Sequence, residues 1–303
     1  MSGGSSSDAE AELIMSQRVF ACDLIQKMSV LLKLPIVACS TACVSFHRFF
    51  HRRSMRRFDV RHYAMGALFL ATKVEECPRR MRDVLAVFMH LEQKRKGFTP
   101  QPLDIYSQRY RAYKDCLIKA ERELLKELGF ILYTEHPHKF VLNYVKLLTD
   151  DQNPGHVKKL SQYAWNFLND SLRTDVCMRY EPQVICCAAL WLGARVHQIK
   201  LPSNETHAWW QLFDTEEAQM RAVVDEVVTL YSRAPPKYVD LTSANAPPPP
   251  AAAAPPAAAA PPAADAPTPA DAPPHAPPTD APPLPGALPP SHAPPPADDA
   301  PMS

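Results

Sequence analysis

No stretch of this chain is apolar for long enough to cross a bilayer. The longest run, Val184 to Ala194, falls well short of the roughly 18–20 residues that a spanning helix needs. Cys-x-x-Cys is absent, and of the eight cysteines (Cys22, Cys39, Cys43, Cys77, Cys116, Cys177, Cys186, Cys187) six lie inside helical patterns, which argues against a disulfide framework. The phosphate-cradling patterns GxxxxGK and GxGxxG are missing, as are HExxH, GxSxG and DxDxDG, so neither cofactor nor metal is expected. Spacing reveals no nucleophile–base pair, and an enzyme is not expected either. Met1 to Glu10 is rich in Ser and Gly and ends acidic, unlike a secretory signal. The chain reads as soluble and intracellular, with no membrane partner.

Lys and Arg are missing from residues 243–303, which hold 23 of the 33 prolines. Five of the 32 acids lie there too, leaving 33 basic and 27 acidic residues up to Thr242, a net of +6 hidden by the whole-chain +1. That excess suits an acidic protein partner and falls short of a dedicated nucleic-acid binder, so no direct nucleic-acid contact is expected. The Pro/Ala/Asp composition has almost nothing to bury and predicts a disordered tail with polyproline-II bias over 235–303. Thr268-Pro269 is its one Ser/Thr-Pro step, the pattern that proline-directed phosphorylation requires.

Apolar periodicity near 3.6 dominates from Leu13 to Tyr231, and no stretch alternates as a strand. Tyr106, Tyr110, Tyr113, Leu117, Ala120, Leu124 and Leu128 make one stripe, closed by Gly129. Asp214-x-x-Glu217 resembles a capping box ahead of the Val223–Tyr231 stripe. Two segments, Tyr63–Ala71 and Val184–Ala194, are apolar nearly all round, and a helix without a polar face must be enclosed by others. Asp59 can cap the first, and Pro182 suits the first turn of the second. MGALFLATKV (65–74) and CAALWLGARV (187–196) align without a gap at an offset of 122, pairing Phe69 with Trp191 and Lys73 with Arg195. The chain is therefore all-α, with two stacked copies of a helical unit at about 35–149 and 150–233, after a first helix at roughly 11–33.

Cys39, Cys43, His47 and His51 fall four apart, but three such steps span about 18 Å of helix, too far for one ion. Buried Cys and partly buried His are the ordinary explanation. His136-Pro137-His138 reads as a turn opening a helix. Arg52, Arg53, Arg56 and Arg57 suit a solvated loop, and Lys94, Arg95 and Lys96 a helix C-terminus. Arg79, Arg80 and Arg82 adjoin the polar end of a buried helix and suggest surface binding to protein or phosphate.

LATKVEECPRRMRDV (70–84), KAERELLKELGF (119–130), HPHKFVLNYVKLL (136–148) and NDSLRTDVCMRY (169–180) together resemble a cyclin, and within that family the L type. The resemblance implies a tandem cyclin fold of two five-helix bundles: residues 1–10 disordered, 11–149 the N-terminal helix plus first cyclin box, 150–234 the second, 235–303 the tail. It implies a nuclear regulatory subunit of a cyclin-dependent serine/threonine kinase, with transcription or splicing factors as further partners. By the family's pattern the kinase is contacted by Lys73, Val74, Glu76, Glu121, Leu125, Phe130 and Leu132. An ammonium offering only donors and a carboxylate offering only acceptors can bond orphan backbone groups around a partner helix. His47-Arg48-Phe49 stands where cell-cycle cyclins carry Asp-Arg-Phe, and their M-R-A-I-L docking motif is missing. The Pro/Ala/Asp tail replaces the Arg/Ser-rich tail of the L type, and with it the serines that would serve splicing-factor association. A second class remains, a non-kinase scaffold with the tandem fold of general transcription factor IIB, for which a zinc ribbon upstream would be expected.

Overall fold

A computed structural model describes residues 4–149, 154–202 and 208–242, and among them every regular element is helical. The helices are α1 (Gly4–Leu31), α2 (Ile36–Arg52), α3 (Val60–Val74), α4 (Met81–Arg95), α5 (Gln108–Glu127), α6 (His138–Leu148), α7 (Pro154–Ser171), α8 (Pro182–Val196) and α9 (Glu217–Ser232). Short 3₁₀ turns stand at Val176–Met178 and Trp209–Phe213. These elements build two hydrophobic cores, α1–α5 around α3, and α6–α9 with the Trp209–Phe213 turn around α8. Five helical segments build each core among the described residues, the fourth of the second being the Trp209–Phe213 turn, and the Val176–Met178 turn between α7 and α8 adds Val176 to that core.

The enclosed helices are the two whose sequence lacks a polar face. α3 is buried without interruption from Tyr63 to Thr72, and α8 from Val184 to Leu190. Asp59 caps α3 through a 2.9 Å bond from the Arg61 amide, and Pro182 occupies the first turn of α8. The duplication extends to the way both helices stop. Glu76 (φ 50°) and Gln198 (φ 55°), at the same offset, are left-handed. The amides that follow reach back identically, Cys77 N to Thr72 O at 2.9 Å and Ile199 N to Ala194 O at 2.8 Å, a Schellman closure without glycine.

Boundaries differ from the sequence expectation at five places. Residues 4–10 are helical rather than disordered, and Glu10 and Glu12 pair with Arg56 (2.7 Å) and Arg233 (2.6 Å). Phe20, Leu24, Ile25 and Met28 of α1 lie in the first core, so α1 is the first of that unit's five helices and not a precursor to them. Helix α6 belongs to the second unit, because Val141, Val145 and Leu148 bury against that core. The junction is therefore the stretch 129–137, between left-handed Gly129 and Pro137 at the start of α6, and not residue 149. Asp214 closes the 3₁₀ turn in a left-handed conformation, and Glu216 precedes α9 with no side-chain cap, so the capping box does not form.

The fifth difference is the segment 235–242, expected in the disordered tail, which returns to the first unit. Buried Gln17 brackets it, donating to Lys237 O (2.8 Å) and accepting from Val239 N (3.0 Å). Tyr238 packs 5.5 Å from Phe20, with the Arg61 and Arg95 guanidiniums 4.0 and 5.0 Å from its ring. The expectations for residues 1–3 and 243–303, Thr268-Pro269 included, lie outside the described residues.

Candidate partner-binding surface

Lys73 ends α3 and Glu121 lies on α5, and the close approach of these helices sets their meeting. A Cβ on Gly66 would stand 2.8 Å from the Ala120 Cβ, so glycine lets α3 lie directly against α5. Lys73 Nζ meets Glu121 Oε1 at 2.5 Å and sits 4.2 Å from the Phe69 ring centre. The pair is half open on the lysine side, while the Glu121 carboxylate is largely covered. Ile118, exposed three residues before Glu121, and Leu125, four after it, extend the same face of α5.

Beyond α5 the chain turns sharply. Gly129 (φ 59°) and Phe130 (φ 61°) are both left-handed, and the Phe130 amide reaches back to Leu125 O at 3.1 Å. A bulky residue is rarely found there. Its side chain gains little in exchange within the free chain, being 69% exposed beside Ile131 at 71% and Tyr133 at 79%. Large apolar side chains held open in a strained turn mark a surface shaped for contact.

The structure brings Lys73, Glu121 and Leu125 onto the α3/α5 face, and Phe130 follows at the end of α5. Val74, Leu125 and Leu132 are half-buried and pack on the first core, forming the floor of this region more than its rim. Glu76 is exposed in its left-handed cap. Ile118, Ile131 and Tyr133 were not among the sequence-predicted contacts; the exposed pair follows Gly-Phe directly, the one signal that pointed to them. Glu75 turns inward. Thr41 donates to its carboxylate at 2.6 Å and so must accept from His136 Nε2 at 2.8 Å, which ties α2, the end of α3 and the unit junction together. Burial pushes His136 down to about 4 from its ordinary 6.5 and keeps it neutral.

The Cys/His series serves packing. Cys39, Cys43 and His47 are buried and His51 is exposed. A guanidinium only donates, so His47 Nδ1 accepts from Arg18 (3.1 Å) and Nε2 carries the proton toward Leu172 O (2.9 Å). His47 thereby joins the two units. Among the described residues no group of three His, Cys, Asp or Glu side chains is placed to hold a metal ion. Arg79, expected on a binding surface, donates instead to the α1 end at Leu32 O and Lys33 O, both 3.0 Å.

Residues 5–133 match the family "Cyclin, N-terminal domain" and 136–229 the family "Cyclin-T2-like, C-terminal domain". Cyclin-L1 of Homo sapiens is 45% identical over 221 residues, 73% of this chain and 41% of that protein. Cyclin-L1-1 of Oryza sativa subsp. japonica is 41% identical over 228 residues, 75% of this chain and 51% of the relative. The chain belongs to the cyclin family, within its L type. It spans about half the length or less of these L-type cyclins, and Cyclin-L2 of Homo sapiens, 43% identical, is covered over 44% of its length. The fold is shared with the "yeast RNA Pol II CTD kinase CTDK-1 complex" (TM-score 0.57, 18% identity, 74% of this chain and 72% of that one). It is shared also with the CAK complex of Chaetomium thermophilum (TM-score 0.52, 18% identity, 72% and 63%). The junction between the two family matches, residues 134–135, agrees with the unit boundary seen in the cores and not with residue 149.

Proposed function

We propose that this L-type cyclin is a nuclear, non-catalytic subunit that binds and activates a cyclin-dependent serine/threonine kinase acting in RNA polymerase II transcription, pre-mRNA splicing or both. The observation that carries the reading is the Lys73–Glu121 pair at 2.5 Å, at the edge of an apolar surface continued by Phe130, Ile131 and Tyr133. The apolar rings supply area to a partner element, while Lys73 donates to its free carbonyls and Glu121 accepts from its free amides. Activation follows if that surface binds the active arrangement of the kinase more tightly than the inactive one.

Tagged purification of the full chain from its own cells tests the reading. A cyclin-dependent kinase should co-elute, and its activity on a polymerase-tail peptide or a splicing-factor peptide should require the chain. Recovery of no kinase, or of one equally active without the chain, would overturn it.

A further inference from the structure

The second unit repeats the surroundings of Lys73 with a positive excess in place of a balanced pair. Arg195 is the counterpart of Lys73, and its guanidinium lies 3.8 Å from the Trp191 ring as Lys73 lies 4.2 Å from Phe69. In the first unit the last helix supplies a carboxylate, Glu121, to the lysine. In the second, α9 supplies a further cation, Arg221, whose guanidinium is 5.7 Å from the same indole. Glu217, one turn earlier, holds Arg221 at 2.5 Å. Arg195 and Lys200 are exposed and form no ion pair among the described residues. Both line a cavity of about 440 Å³ with Trp191, Leu201, Trp209 and Trp210.

We propose that this cavity docks a phosphorylated serine or threonine of an extended, proline-containing peptide. Arg195 and Lys200 line the cavity and Arg221 approaches the Trp191 ring from α9, with Glu217 the one carboxylate paired to any of the three among the described residues, and a phosphate near two negative charges answers that excess better than one carboxylate does. Guanidinium groups bind phosphate oxygens in a two-pronged geometry, and Lys200 adds a point charge. Trp210, half-buried at the cavity wall, gives the apolar face on which a pyrrolidine ring of an extended peptide rests. A nucleic acid fits less well. Arg195 already covers the Trp191 ring, Trp209 is buried, and the cations form a spot where a phosphate backbone needs a track. The site lies on the other unit from Lys73 and does not depend on the kinase reading.

Fluorescence anisotropy with the full chain at physiological salt tests the proposal. The probes are a labelled peptide pool fixed at phosphoserine-proline, the same pool unphosphorylated, the pool with Glu for phosphoserine, and a single-stranded RNA oligomer. The phosphorylated pool should bind about tenfold or more tightly than the other three. Arg195→Glu/Lys200→Glu should remove that preference while Lys73→Glu leaves it intact, and Arg195→Gln should fall between, with melting temperatures unchanged because both side chains are exposed. Absence of binding by every probe, equal binding with and without phosphate, RNA bound as tightly, or a double variant that keeps the preference would each overturn the proposal.

Discussion

Phe130 occupies a backbone conformation that a phenylalanine adopts only when its surroundings insist. Asn tolerates the left-handed region without the extra unfolded-state freedom of Gly. Phe130→Asn should therefore leave the melting temperature of the free chain unchanged or raise it, while weakening kinase capture in a pull-down. A falling melting temperature would mean that the ring serves the fold instead. His136 carries a pH signature. With its folded value near 4 against 6.5 unfolded, its contribution is complete above pH 6.5 and is lost as pH falls toward 4. Urea titrations should lose about 1–2 kcal/mol between pH 7 and pH 5 from this group. His136→Gln should flatten that part of the slope, leaving the share of His138, which burial also lowers. Spacing alone drew attention to His47 for the wrong neighbours. Its partners Arg18, Cys22 and Leu172 come from other elements, a long-range fact that no local pattern carries. Lys73 and Glu121 were named through family motifs, but their bond to each other follows from the closeness of α3 and α5.

Helix positions were legible where one physical demand dominated. An all-round apolar sequence has to be enclosed, and α3 and α8 are central for that reason. Helix α6 was assigned to the wrong unit because its stripe states that it needs a core without stating which. The Asp214 start failed because the left-handed turn at Asp214 takes it out of the cap position. Gly66 and Gly193 separate two kinds of helix contact. A Cβ at Gly66 would strike the Ala120 Cβ at 2.8 Å, an atom fixed to the α5 backbone. At Gly193 it would meet the Tyr163 ring at 2.9 Å and Leu160 Cδ1 at 3.1 Å, side-chain atoms able to turn aside. Gly66→Ala should cost about 1–3 kcal/mol in chemical denaturation and disturb the Lys73–Glu121 pair, and Gly193→Ala distinctly less. Equal losses would place the tight helix contact elsewhere.

Across the molecule, polar joins hold the two units in register. Gln26 donates to Asn169 O at 2.7 Å and accepts from Arg173 at 2.9 Å, alongside the His47 bond to Leu172. The strap through Tyr238 adds a second tie, from the end of α9 back to α1. Ending the chain at Ala234 should lower stability by roughly 2–3 kcal/mol, the order expected for losing one packed aromatic with its cation contacts, and the loss should appear in thermal melts. No change would show that the strap rests on the body without holding it. Duplication was readable from ten aligned residues, whereas the strap was hidden by its proline-rich composition, since Gln17 and Phe20 reach it from more than 200 positions away. The most direct measurement is kinase activation by a charge-swapped chain. Lys73→Glu/Glu121→Lys keeps an ion pair within the fold but reverses the polarity presented to a partner. The swapped chain should melt like the parent and fail to activate the co-purified kinase; full activation by it would contradict a gripping role for these two residues.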